Sequence, residues 1–173
     1  MVKEARDKLV IHPLPAHSEE IGRALWMLED ARKRTYEAIN DLDENRLDEQ
    51  PPAGSHSAGT LLYHIAAIEL DWLVSEVREG QIDESVWTKF PFDVRDANGR
   101  LTVVTGISLA DHLERLTFTR RLLLDTYEAM SLADFRRVRS LERYDVTPEW
   151  VVHHLCQHEA EHRAELRALR KLD

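Results

Sequence analysis

The chain has a single cysteine, Cys156, so it can form no internal disulfide and cannot hold zinc through a cysteine cluster. Glycine and proline are scarce, six of each in 173 residues, which favours long helices over many short strands. No apolar run approaches the ~18 residues of a membrane-spanning helix, and no span is expected. Residues 1–9 carry Lys3, Glu4, Arg6, Asp7 and Lys8 rather than the apolar core of a secretory leader. Positive charge is also short. Lys and Arg number 23 against 32 Asp and Glu, a net charge of −9, so nucleic acid and anionic membranes are disfavoured as partners. With a lone thiol and no leader, the expected location is the cytoplasm.

What is present describes an ordinary globular chain, 43% hydrophobic and 32% charged. Its length suits one domain spanning residues 1–173 that buries roughly 70% of its unfolded surface. Residues 1–17, with Pro13 and Pro15, read as an extended arm laid against that domain. A first helix follows from Glu19 to Leu42, capped by Ser18, with Ile21, Leu25, Leu28, Tyr36, Ile39 and Leu42 inward. Arg32 interrupts this stripe and is expected to snorkel outward. Asp43–His56, with Pro51, Pro52 and Gly54, is a loop. The second helix starts at Ser57, buries Leu61, Ile65, Ile68 and Trp72, and ends before Gly80, which suits the position after the C-cap.

From Gln81 to Ile107 the helical period disappears. Asn98-Gly99 between Phe90–Val94 and Leu101–Val104 predicts a small hairpin within a long crossover. Ser108-Leu109-Ala110-Asp111 opens a third helix, which runs to about Ala129 with Leu109, Leu113, Leu116, Leu123 and Tyr127 inward. Ser131–Asp134 predicts one short extra turn. Arg136, Arg137, Arg139 and Arg143 then form the one locally basic stretch, either a solvated face or a greeting for an anionic substrate. Thr147-Pro148-Glu149 opens the last long helix. The fold expected is all-α, an antiparallel four-helix bundle with a long crossover between helices two and three.

The last helix carries the chemistry. Its apolar stripe of Val151, Leu155, Leu166 and Leu169 is interrupted at positions 158 and 162, and both are histidine. An unpartnered ring nitrogen in a core costs roughly 1–3 kcal/mol, so two adjacent ones call for a shared partner. A divalent ion satisfies both rings at once, and the i, i+4 spacing places them one turn apart on one face. The alternative is ordinary hydrogen bonding to neighbouring helices. His158-Glu159-Ala160-Glu161-His162 also satisfies the zinc-protease pattern, with Glu159 in the general-base position. The extended protease pattern, however, requires Gly at 165 and His at 168, where this chain has Glu165 and Ala168. A third ligand must therefore come from elsewhere. Spacing leaves His64 on helix two and His112 on helix three in competition, with His154 in reserve. Trp72, Trp87, Trp150 and Tyr144 are candidates for a pocket mouth, with Trp87 preferred and Trp72 expected in the core. Arg143 is the candidate for an anionic substrate. Cys156 lies off the histidine face and reads as a small apolar filler.

Ser57-Ala58-Gly59-Thr60-Leu61-Leu62-Tyr63-His64-Ile65-Ala66, followed by His154-Leu155-Cys156-Gln157-His158-Glu159-Ala160-Glu161-His162-Arg163, resembles the DinB/YfiT-like proteins over nearly the whole chain. The resemblance implies a divalent metal held by His64, His158 and His162, with zinc first and nickel or iron as alternatives. One departure is Ala164, where many members have glycine. The resemblance further implies a homodimer and a small-molecule substrate, with a low-molecular-weight thiol as the reacting partner of an S-transferase-like or hydrolase-like enzyme. A noncatalytic metal-binding or stress-response module is the competing expectation.

Overall fold

The computed structural model describes residues 9–51 and 56–169. Predictions for residues 1–8, for Pro52 and Gly54, and for the chain beyond Leu169 lie outside the described residues. Four long helices form the expected all-α bundle: α1 (Glu19–Ile39), α2 (Ala58–Trp72), α3 (Leu109–Glu128) and α5 (Pro148–Leu169), with a short α4 (Leu132–Phe135) between the last two. Each predicted N-cap is in place. The hydroxyls of Ser18, Ser57, Ser108, Ser131 and Thr147 accept from the backbone N–H of Ile21, Thr60, Asp111, Asp134 and Trp150.

The core lies in two apolar layers. One joins the start of α1 (Ile21, Leu25), the end of α3 (Leu123, Tyr127) and the start of α5 (Val151, Val152). The other joins the end of α1 (Ile39), the starts of α2 and α3 (Leu61, Leu116) and the end of α5 (Leu166). Helices α1 and α5 therefore run one way, and α2 and α3 the other. The long α2–α3 crossover makes this possible by returning the chain to the end it left. Helix α2 is buried on nearly every side rather than along one stripe, so it is the central element of the bundle.

Several local expectations are corrected. α1 stops at Ile39 rather than Leu42. α2 closes through a wider π turn, Leu73–Val77, in which the Arg78 N–H donates to the Leu73 carbonyl. Beyond it Glu79 already takes a positive φ of 52°, and Gly80 follows at 81°. The crossover holds a short turn, Glu84–Lys89, and the expected small hairpin about Asn98-Gly99, where Arg95 bridges Leu101, the Asp96 N–H donates to the Arg100 carbonyl and the Thr102 N–H donates to the Val94 carbonyl. Helix α2 keeps the hairpin short, because its side chains take the backbone groups that longer strands would pair. The Tyr63 hydroxyl accepts from the Phe92 N–H at 3.0 Å and donates to the Phe92 carbonyl at 2.8 Å, and the Thr60 hydroxyl accepts from Val104 N–H at 3.1 Å. The two-stranded sheet is instead β1 (Arg139–Ser140) paired with β2 (Asp145–Val146), just before α5.

Between the two apolar layers lies a buried ring of charge. Arg32 is not on the surface: it is 3% exposed, with Nε 2.7 Å from Glu159 Oε1 and Nη2 2.9 Å from Glu69 Oε2. Arg120 closes the ring, its Nη2 donating to Glu69 Oε2 at 2.6 Å and to Glu159 Oε2 at 2.9 Å. Two guanidiniums and two carboxylates balance, and each long helix contributes one of them. The basic stretch is likewise mostly committed. Arg137 pairs with Glu79 and Asp134, Arg136 with Glu149, and Arg139 is buried against Asp134 and the Val77 carbonyl.

Candidate metal centre

The central helix α2 carries His64 into the bundle, 4% exposed, opposite the face of α5 that carries His158 and His162. The three Nε2 atoms converge. His158 Nε2 lies 3.1 Å from His64 Nε2 and 3.1 Å from His162 Nε2, and the three ligand atoms all fall within 4.8 Å of one another. Neutral imidazoles that point the same kind of nitrogen at one spot cannot all satisfy each other, since each ring has one N–H and one lone pair. The arrangement suits a shared cation: tetrahedral zinc with Zn–N of ~2.0–2.1 Å places its nitrogens about 3.3 Å apart. Burial pushes the pKa of His64 and of His158 down to about 3, helped by the neighbouring rings, so both present the free base a metal needs.

Glu165, one turn after His162, supports the site from behind. Its Oε1 is 2.9 Å from His162 Nδ1, and Oε2 is 3.7 Å from His56 Nδ1. A carboxylate on the far nitrogen fixes the tautomer that leaves Nε2 free for a metal. In the sequence Glu165 stands out only as the residue that breaks the protease pattern, although its i, i+3 spacing from His162 is the signal for this role. Arg95, from the crossover, is the other residue missed. Its positive charge bears on both His64 and His158.

The remaining candidates lie elsewhere. Glu159 points away from the triad, 2% exposed, with both carboxylate oxygens held by Arg32 and Arg120. Burial alone would raise its pKa, but the two guanidiniums outweigh that and hold it below the usual carboxylate range. A general base needs a free oxygen at the reacting group, so the motif-based role for Glu159 does not fit this placement. His112 is buried, with neither ring nitrogen partnered, in a separate spot beside Gly59 and Asp48. His154 joins an aromatic cluster, its ring 4.2 Å from Trp72 and stacked 5.2 Å from Trp150. Trp72 is half-buried and lines a cavity of about 490 Å³ with Tyr144 and Trp150. Trp87 sits on the crossover turn, 39% exposed, and Arg143 is exposed beside Tyr144; neither lines that cavity. Cys156 is half-buried and faces the α1–α5 groove, where burial pushes its thiol up to about 11. That is the behaviour of a filler rather than a ligand.

A central helix and its antiparallel neighbour presenting three imidazoles to one point define a helical-bundle protein with a three-histidine group able to hold a metal ion. No curated protein matches the sequence. The model of the DinB superfamily matches residues 27–166, most of the chain and all three histidines, and the chain belongs to that family.

Proposed function

We propose that the protein is a metal-dependent enzyme that activates a low-molecular-weight thiol for attack on a small electrophile. The observation that carries this reading is the convergence of three Nε2 atoms from two helices, two of the three rings being only partly buried. Three protein ligands with solvent on one side leave a position for an exchangeable fourth, the pattern of catalytic rather than closed structural sites. Zinc is the first choice, with nickel or iron compatible with the same imidazoles.

When bound, the ion supplies Lewis acidity that lowers the pKa of a coordinated thiol or water. The protein holds the three rings, Glu165 orients His162, and Arg95 adds positive charge that favours a thiolate. Glu159, the carboxylate that would serve a hydrolytic mechanism, is locked to Arg32 and Arg120. This favours a thiol over water, since a free thiol ionises near ~8.5 whereas water needs far more help. The thiol proton leaves to solvent, sulfur bonds to the electrophilic carbon, and the leaving group departs with the electron pair.

The test is thiol consumption with a chromogenic aryl halide, using a panel of small thiols. The reading predicts turnover that requires added zinc or nickel, falls at least about 100-fold in His158→Ala, and falls severalfold in Arg95→Gln with little change in metal content. A protein that binds metal stoichiometrically, gains thermal stability from it and turns over no thiol would be the noncatalytic module instead.

A further inference from the structure

A cavity lined by aromatic side chains lies one ring removed from the triad, with the exposed carboxylate of Asp145 at its rim. Trp72 sits centrally, 6.3 Å from the Tyr144 ring at 26° and 5.5 Å from the Trp150 ring at 35°. Tyr144 and Trp150 are 45% and 47% exposed, an unusual degree for large aromatic side chains gathered at one place. Asp145 is among the lining residues, and none of those residues is basic. Behind Tyr144 stands Glu76, 7% exposed, whose Oε1 accepts the tyrosine hydroxyl at 2.7 Å while Oε2 is buried with no partner. That bond pushes the Tyr144 hydroxyl up to about 12, so the ring remains a neutral phenol and donates to the carboxylate. A phenol that hydrogen-bonds to a carboxylate has a more electron-rich face, and the negative faces of Trp and Tyr attract weakly hydrated cations.

From this geometry we infer that Trp72, Tyr144 and Trp150 form a cage for an organic cation of the methylated-ammonium class, with Asp145 supplying the counter-charge. A cavity of about 490 Å³ falls in the range of small-ligand sites. An uncharged apolar guest would fill the same space but leave Asp145 unanswered, and a strongly hydrated inorganic cation would gain little from the ring faces. His154 connects the cage to the triad: its ring lies 4.2 Å from Trp72 and 5.9 Å from His158. The His154 ring therefore stands between the cage and the triad. The cage is complete without an ion at the triad, so its test is independent of the thiol reading.

The experiment is titration of the metal-free full chain with choline and with its uncharged isostere 3,3-dimethylbutan-1-ol, followed by calorimetry and tryptophan fluorescence. Choline is expected to bind at one site per chain, with the isostere weaker by at least about tenfold. Trp150→Ala and Asp145→Asn are each expected to weaken choline at least about fivefold by calorimetry, with unchanged helical circular dichroism. Equal affinity for the two compounds would reduce the site to a plain apolar cavity. Absence of saturable choline binding in the millimolar range, or wild-type affinity in Trp150→Ala, would overturn the proposal.

Discussion

His112 is buried as deeply as the leucines around it, yet both ring nitrogens lack a partner and Asp48 Oδ1 nearby is likewise unpaired. Burial, with a smaller push from Arg115, lowers its pKa from 6.5 to about 4 despite the opposing charges of Asp48 and Asp111. The unfolded chain therefore takes up a proton on this residue before the folded one does, and folding stability declines as pH falls from about 6.5 through about 4. Urea unfolding of His112→Leu should show a flatter acid limb than wild type and equal or greater stability at pH 7.5. A large loss at pH 7.5 would mean that the imidazole has a partner after all. Glu159 gives the converse case. Glu159→Gln removes one of two carboxylates facing two buried guanidiniums, and the expected loss is about 3–5 kcal/mol with metal content retained if the fold survives. Normal stability with lost turnover would restore the catalytic role. His158 and His162 were legible in the sequence because a leucine stripe broken twice by histidine is a local, periodic signal, whereas spacing alone left His64 competing with His112. The partners of Glu159 were not legible. Arg32, Glu69 and Arg120 are each distant in sequence, and a lone charge on a helix face does not reveal whether another charge packs against it.

At the scale of elements, Gly22 shows how closely the N-terminal arm is seated. The Leu14 N–H donates to the Gly22 carbonyl at 3.0 Å, and a Cβ on Gly22 would meet the Leu14 carbonyl oxygen. Backbone cannot give way as a flexible side chain can, so Gly22→Ala should lower stability by about 1–3 kcal/mol in thermal or urea unfolding. An unchanged transition would mean that the arm is not held there. Caps and helix positions were readable because they depend on residues three or four apart. The crossover hairpin was readable from Asn98-Gly99, but the point where it stops was not, because Tyr63 and Thr60 on α2 capture backbone groups of residues 92 and 104, and no local pattern announces that competition. The β1–β2 pair was missed for a related reason: strands of two residues are too short to show alternation.

At the scale of the whole molecule, α1 and α5 run together against α2 and α3, and the charge ring ties all four across the middle. No helix among the described residues is long and apolar enough to cross a membrane. The histidine site bridges α2 and α5, so an ion bound there links two helices far apart in sequence and should stabilise the fold by mass action. With the metal at 100 times its dissociation constant the gain is about 2.7 kcal/mol, visible as a rise in melting temperature that His64→Ala abolishes. The measurement that bears most directly on this account is elemental analysis of protein purified without a metal-affinity tag, run beside His158→Ala. Close to one divalent transition metal per chain is expected in the wild type and almost none in the variant. Wild-type protein that stays metal-free after incubation with zinc, nickel or iron, or a variant that keeps its full complement, would contradict it.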